Sequence, residues 1–168
     1  VPEYHKLTAD FDSIEYVTYG SDGSLYFSTY GVTERKETLT EQETAQYMEW
    51  YGELQDWMYE VYGNQIYRTD IEGTEMVQLE NYRPLSADLG PSAYGSLTGL
   101  YATDDGNLLV LENVYQDVYE GNEWISSTNN YYLRVLDSTG KEVSQTLLND
   151  LFEGEEYINF TGLAVGQD

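Results

Sequence analysis

The 168 residues carry 31 Asp plus Glu against 7 Lys plus Arg, a formal net charge of -24 spread along the whole chain. The basic footprint that a phosphate backbone requires is missing, which excludes nucleic-acid binding, and anionic lipid surfaces would repel the chain. Cysteine is absent, removing disulfides, thiolate metal sites and thiol nucleophiles, and no run of 18 apolar residues offers direct membrane insertion.

The first stretch, 1–13, contains Val1-Pro2-Glu3-Tyr4 and is expected to be a short outer strand able to close a ring of repeats. A first inner strand follows at Ile14-Glu15-Tyr16-Val17, then a hairpin turn at Asp22-Gly23 and a second strand at Leu25-Tyr26-Phe27. Thr40-Glu41-Gln42-Glu43 reads as a capping box, so a helix is expected near 41–62. Tyr47, Trp50, Tyr51, Leu54, Trp57, Met58 and Val61 keep the three-four spacing of one helical face, and Gly63-Asn64 is the expected end. Ile66-Tyr67-Arg68 is a third strand, Asp70-Ile71-Glu72-Gly73 a turn with glycine at the position that takes positive φ, and Met76-Val77-Gln78-Leu79 a fourth strand.

The same order then recurs. Leu97-Thr98-Gly99-Leu100, Asp105-Gly106 and Leu108-Leu109-Val110-Leu111 repeat the first hairpin 83 residues on. Leu133-Arg134-Val135, Asp137-Ser138-Thr139-Gly140 and Val143-Ser144-Gln145-Thr146-Leu147 repeat the second hairpin 67 residues on. The difference places about sixteen extra residues in the middle connection of the first unit, where a repeat scaffold accepts insertions. Phe160-Thr161-Gly162-Leu163 begins a third copy 63 residues after Leu97, and Asp168 falls where its first turn is due.

Four-stranded antiparallel units in tandem define an all-β chain and point to a β-propeller fragment: about two blades, at 14–82 and 97–150, joined by a linker at 83–96. The first strand of a third, truncated blade is expected at 157–168. A ring needs about four blades or more, so the chain is expected to be a segment of a longer protein. Its partners would be the missing blades or a second copy of itself, because a lone blade face is apolar.

Trp50, Trp57 and Trp124 are the candidate ligand-binding residues. The ordinary reading of the helical stripe is packing against its own unit. The sharper one is a contact site, since Tyr and Trp faces complement the flat C–H surfaces of sugar rings. Trp124 falls in the corresponding connection of the second unit and carries the same two readings.

No catalytic constellation stands out. The only histidine is His5, with no nucleophile-elbow serine to join it. Acidic pairs are too abundant to single out a glycosidase acid and base. No phosphate cradle, zinc-binding helix or EF-hand loop occurs, and no cofactor or metal is expected. Asp104-Asp105-Gly106-Asn107 offers hard oxygens, yet Asp and Asn are also what a tight turn prefers. Asn159-Phe160-Thr161 matches a glycosylation acceptor by accident of a strand start.

The pattern Leu-Thr-Gly-Leu-x-x-x-x-Asp-Gly-x-Leu from Leu97, followed by Tyr-Tyr-Leu-Arg-x-Leu-Asp-x-x-Gly-Lys-Glu-Val from Tyr131, resembles the N-terminal propeller region of clostridial surface lipoproteins described as extracellular solute-binding proteins. The resemblance runs from Ile14 to Asp168 and rests on generic blade motifs, so it carries over no functional residue. It implies a cell-surface location and a link to carbohydrate import through an ABC transporter. The expected function is therefore a non-catalytic extracytoplasmic binding or scaffolding segment, the alternatives being part of a glycan-degrading enzyme or a structural protein-interaction module.

Overall fold

The structure, a computed structural model, describes residues 13–152, 159–160 and 162–166. The outer strand expected at 1–13 lies almost wholly outside the described residues, as does Asp168. Among the described residues eight strands form two four-stranded antiparallel sheets, with one α-helix inserted. The first sheet is β1 (Ser13–Tyr19), β2 (Leu25–Arg35), β3 (Glu60–Thr69) and β4 (Met76–Gln78), hydrogen-bonded in that order. The second repeats the order with β5 (Ala93–Ala102), β6 (Leu108–Glu120), β7 (Glu123–Leu136) and β8 (Glu142–Leu147). Each strand expected from the two repeats falls on one of these eight, and the described residues are mostly β with one α-helix.

The repeated Asp and Gly residues explain why the chain reverses where it does. Gly23, Gly73, Gly106 and Gly140 all have positive φ, between 71° and 89°, a region costly for any residue with a Cβ. Each glycine N–H donates to the carbonyl three residues earlier, at 3.0–3.1 Å. An aspartate then holds each turn: Asp22 accepts from Ser24 N–H, Asp70 from Thr74 N–H, Asp105 from Asn107 N–H and Asp137 from Thr139 N–H. Asp105 is occupied in this way, with the Thr103 hydroxyl as a further donor, which supports the turn reading of Asp104-Asp105-Gly106-Asn107.

The two sheets stack the same way round. β5 lies against β1, β2 and β3, and three hydrogen bonds fix its direction. Leu97 N–H donates to Asn64 Oδ1 (2.7 Å), Ala102 N–H to Thr18 Oγ1 (3.0 Å) and Ser21 Oγ to the Asp104 carbonyl (3.1 Å). Ser21 and Asp104 hold the same position in the two repeats, so the first turns of both units sit side by side and β1 and β5 run in the same direction. Between the sheets Tyr26, Ile66, Leu97, Leu100, Ala102, Leu108, Val110 and Leu136 form one core with Leu79 and Tyr82, and Tyr16 packs against it. Ile66, Leu108, Val110 and Leu136 are fully buried, each worth about 1.5–3 kcal/mol.

The connection between the sheets begins earlier than expected and ends earlier too, since β4 stops at Gln78 and β5 starts at Ala93. It is tied down by a buried ion pair. Glu112 accepts from Arg134 Nη1 (2.7 Å), from Leu85 N–H (2.6 Å) and from the Tyr82 hydroxyl (3.3 Å). Arg134 also donates to the Arg83 carbonyl and to Glu142, and its guanidinium lies 5.4 Å from the centre of the Tyr82 ring. Burial, and then the Glu112 charge, pushes the Tyr82 phenol well above its ordinary range.

Three sequence expectations are corrected. The helix α1 (Glu41–Tyr51) ends at Gly52, in the left-handed region at φ 77°, and not at Gly63-Asn64. Trp57 and Met58 belong to a separate 3-10 turn (Asp56–Tyr59), and Val61, Gly63 and Asn64 are in β3. The cause is tertiary: β2 runs on to Arg35, which pairs with Glu60, so the ladder captures residues that could have continued a helix. In the second unit the corresponding connection is a long β6–β7 hairpin, and Trp124 lies in β7, not in a loop. Asn159, Phe160 and residues 162–166 form no strand, while the rest of the expected 157–168 strand lies outside the described residues.

Candidate aromatic binding cleft

The inserted helix is anchored by polar groups. Thr40 Oγ1 accepts from Glu43 N–H (3.1 Å), and the Glu43 carboxylate accepts from Thr40 N–H (3.0 Å), closing the expected capping box. Lys36, the residue after β2, donates to the same carboxylate. Burial works to raise Glu43, yet Lys36 and Thr40 hold it below the usual carboxylate range. Glu43 is the helix's one buried residue. The aromatic stripe therefore does not pack as an ordinary core face.

Its rings instead gather at the edge of an opening. Tyr47 meets Trp50 and Trp57 edge-on at 6.3 and 5.9 Å between centroids, and Tyr51 meets Trp50 and Trp57 at 6.4 and 5.5 Å. Trp50 also reaches Tyr119 of the β6–β7 hairpin, 5.3 Å away. The Trp57 indole N–H donates to Gln55 Oε1 (2.7 Å), and Met58 beneath it is buried. Edge-to-face rings at these separations attract by about 0.5–1.5 kcal/mol each, which favours this arrangement without a ligand.

Tyr47, Trp50, Tyr51 and Trp57 line a cleft of about 170 Å³, to which the connection adds Ser86, Ala87, Gly90 and Pro91, β3 adds Tyr62 and β5 adds Tyr94. A hollow of about 430 Å³ adjoins it at Lys36 and Glu43 and reaches Gln116–Tyr119. Another of about 320 Å³ adjoins it at Tyr30 and Tyr94 and reaches Glu15, Asn113 and Tyr115. Together they make a groove with walls from both units. Tyr51, Trp57, Tyr62 and Tyr94 are each 43–61% exposed, a concentration of accessible rings that a soluble surface seldom carries without use.

The structure brings Trp50 and Trp57 together around Tyr47 and Tyr51 but leaves Trp124 apart. Trp124 stands on the hairpin with its indole N–H shared between Asp117 Oδ1 (3.0 Å) and Ser127 Oγ (3.1 Å), outside the cleft lining. Tyr94 and Tyr119 were not singled out from sequence. Among eighteen tyrosines nothing local marks them, because Tyr94 joins the cleft and Tyr119 the adjoining hollow only through the stacking of the second unit on the first.

Electrostatically the site offers protonated phenols and carboxylates. Tyr47 is pushed up by burial and then by the Glu43 charge, and Tyr94 by burial and then by the nearby phenols and Asp117. Both stay O–H donors at neutral pH. Among the described residues no group of three or more His, Asp or Glu side chains could hold a metal ion, and no helix is long and apolar enough to cross a membrane. The arrangement can stack a ring and hydrogen-bond its hydroxyls. No family model matches the chain, and neither a curated protein nor a solved structure matches it.

Proposed function

We propose that this chain is a non-catalytic binding segment built from two adjacent β-propeller blades, and that the cleft between them takes a neutral carbohydrate. The observation that carries the ligand half is the pre-set array of Trp50, Trp57, Tyr47 and Tyr51 beside Tyr94, open to solvent and framed by hydroxyl and carboxylate groups. Aromatic planes gain from flat C–H faces, and phenol and carboxylate partners satisfy the sugar hydroxyls that stacking leaves over. The scaffold half is supported by the like-oriented stacking of two four-stranded meanders with their first turns side by side. Completion of a ring then requires further blades, from the same protein or from another copy.

The motif resemblance to clostridial surface lipoproteins supports an extracytoplasmic setting, where a carbohydrate-capturing module would serve an ABC importer. The high acidic charge suits neutral and cationic ligands over phosphorylated or sulfated ones. Calorimetric titration of the 168-residue protein with a panel of neutral oligosaccharides tests the reading. Trp50→Ala and Trp57→Ala are each expected to weaken binding about tenfold, the loss of one good ring contact, with Trp124→Ala unchanged. Absence of binding across the panel, or equal losses at all three tryptophans, would overturn it.

A further inference from the structure

The far face of the second sheet matches the near face of the first. In the first sheet the residues turned toward β5 include Tyr16, Tyr26, Asn64 and Ile66. Their counterparts by repeat position are Gly99, Leu109, Tyr131 and Leu133, all on the side of the second sheet turned away from the shared core. That second face is already occupied at one end. Phe160 corresponds to Leu97 and Leu163 to Leu100 by repeat position, and they lie against Tyr131 and Gly99 of that face.

The contacts repeat pair by pair. Asn64 accepts from Leu97 N–H between the first and second units. Tyr131, at the position of Asn64, packs its ring 5.2 Å from Phe160, at the position of Leu97, and its hydroxyl donates to Asn159 Oδ1 (2.7 Å). Leu100 shares the inter-sheet core with Tyr16. Leu163 lies so close over Gly99, at the position of Tyr16, that a Cβ there would come within 2.8 Å of it. Beyond the seated residues Tyr101, Leu109, Leu133 and Val135 remain half-buried, an apolar strip continuing the same face.

We infer that this face is a unit-to-unit interface, and that its occupant is a third four-stranded unit whose inner strand begins at Asn159. The segment has the position of that strand without a ladder of its own, because among the described residues no second strand lies beside it to pair with. The inference rests on the stacked-blade half of the proposed function and not on the ligand half. It assigns this face to protein–protein packing and leaves the cleft as the ligand surface.

A substitution that exchanges one unit's seat for the other's tests it. Tyr131→Asn installs the side chain that Asn64 uses to accept the Leu97 amide, and is expected to keep the Phe160 amide protected from hydrogen exchange to within about threefold of the parent protein. Tyr131→Ala is expected to lose that protection by about tenfold or more. Leu163→Asp, which alters no sheet residue, is expected to release the same amides while the β-sheet circular dichroism stays intact, so the test survives if Tyr131→Ala fails to fold. Equal exposure in the Asn and Ala variants would show an unspecific tail contact and overturn the inference, as would unchanged protection in Leu163→Asp. Oligosaccharide titration of Leu163→Asp reads the cleft separately: retained sugar binding with a released segment is the expected outcome, and failure of sugar binding in the parent protein bears on the ligand half alone.

Discussion

The two sheets have the same topology and the same turn chemistry, yet they are filled differently. Beside Tyr26, Phe27 and Ile66 the first buries Ser28, Thr29, Asn64 and Thr69 within its strands, and it ends in a fourth strand of three residues. The second buries Leu108, Val110, Leu111, Val114 and Leu136 and spends its polar burial on one ion pair, Glu112 with Arg134. Turn geometry is thus set locally in both units, whereas the interior answers to whatever packs on it. The first sheet receives β5 through a polar acceptor, Asn64, and the second receives the connection through a charged clamp.

The largest expected contrast lies between the two arginines of the third strands. Arg134 and Glu112 have side chains only 6% and 1% exposed, so Arg134→Ala leaves a buried carboxylate without its partner, at a cost of about 3–5 kcal/mol. Arg68 pairs with Asp22 at 2.7 Å, but both side chains are nearly half exposed, so Arg68→Ala costs about 0–1 kcal/mol. Urea unfolding of both variants measures the gap, and similar losses would erase the distinction between the two interiors.

A smaller contrast separates equivalent turn glycines. Gly23→Ala forces a Cβ into positive φ with open space around it, costing about 1–2 kcal/mol. Gly140→Ala bears the same backbone strain and also drives its Cβ to 2.8 Å from the Tyr82 backbone nitrogen, adding about 1–3 kcal/mol. Thermal midpoints of the pair would show whether the second unit's turn is held by the connection or stands alone.

The smallest expected effect is shared by both units and concerns pH. Hydrogen bonds from Thr74 and Thr139 hold Asp70 and Asp137 below the usual carboxylate range. With the folded pKa depressed, their stabilisation is fully present above the unfolded value of about 3.9 and is lost as pH falls through the lower, folded one. Asp70→Asn and Asp137→Asn should each lower stability above about pH 4, where the ionised carboxylate holds its turn, and approach the parent protein as pH falls, so that the acid limb of the stability-against-pH curve flattens. Unequal flattening would mean that the two turns are not the same device.

Strands and turns were legible in the residues because their causes are local. Asp and Gly at fixed offsets force a reversal, alternating apolar residues mark what lies between, and the repetition of both in one order exposed two units. The helix start was equally legible, since Thr40 and Glu43 satisfy each other within one turn. Its end was not: Trp57, Met58 and Val61 keep helical spacing along the chain, but pairing of Arg35 with Glu60 claims that stretch for the ladder. The same logic divides the candidate site, with Trp50 and Trp57 apparent from the stripe and Tyr94 and Tyr119 hidden.

What the amino-acid order determined alone is the set of eight strands, their turns and the capped helix, because hydrogen bonds and φ preferences reach only a few residues. What tertiary structure decided is which faces meet: the direction of β5 along β1, the clamp of Arg134 on Glu112, and the walls of the aromatic cleft. Those depend on contacts between residues tens of positions apart, whose free energy appears only once one sheet has another to bury against.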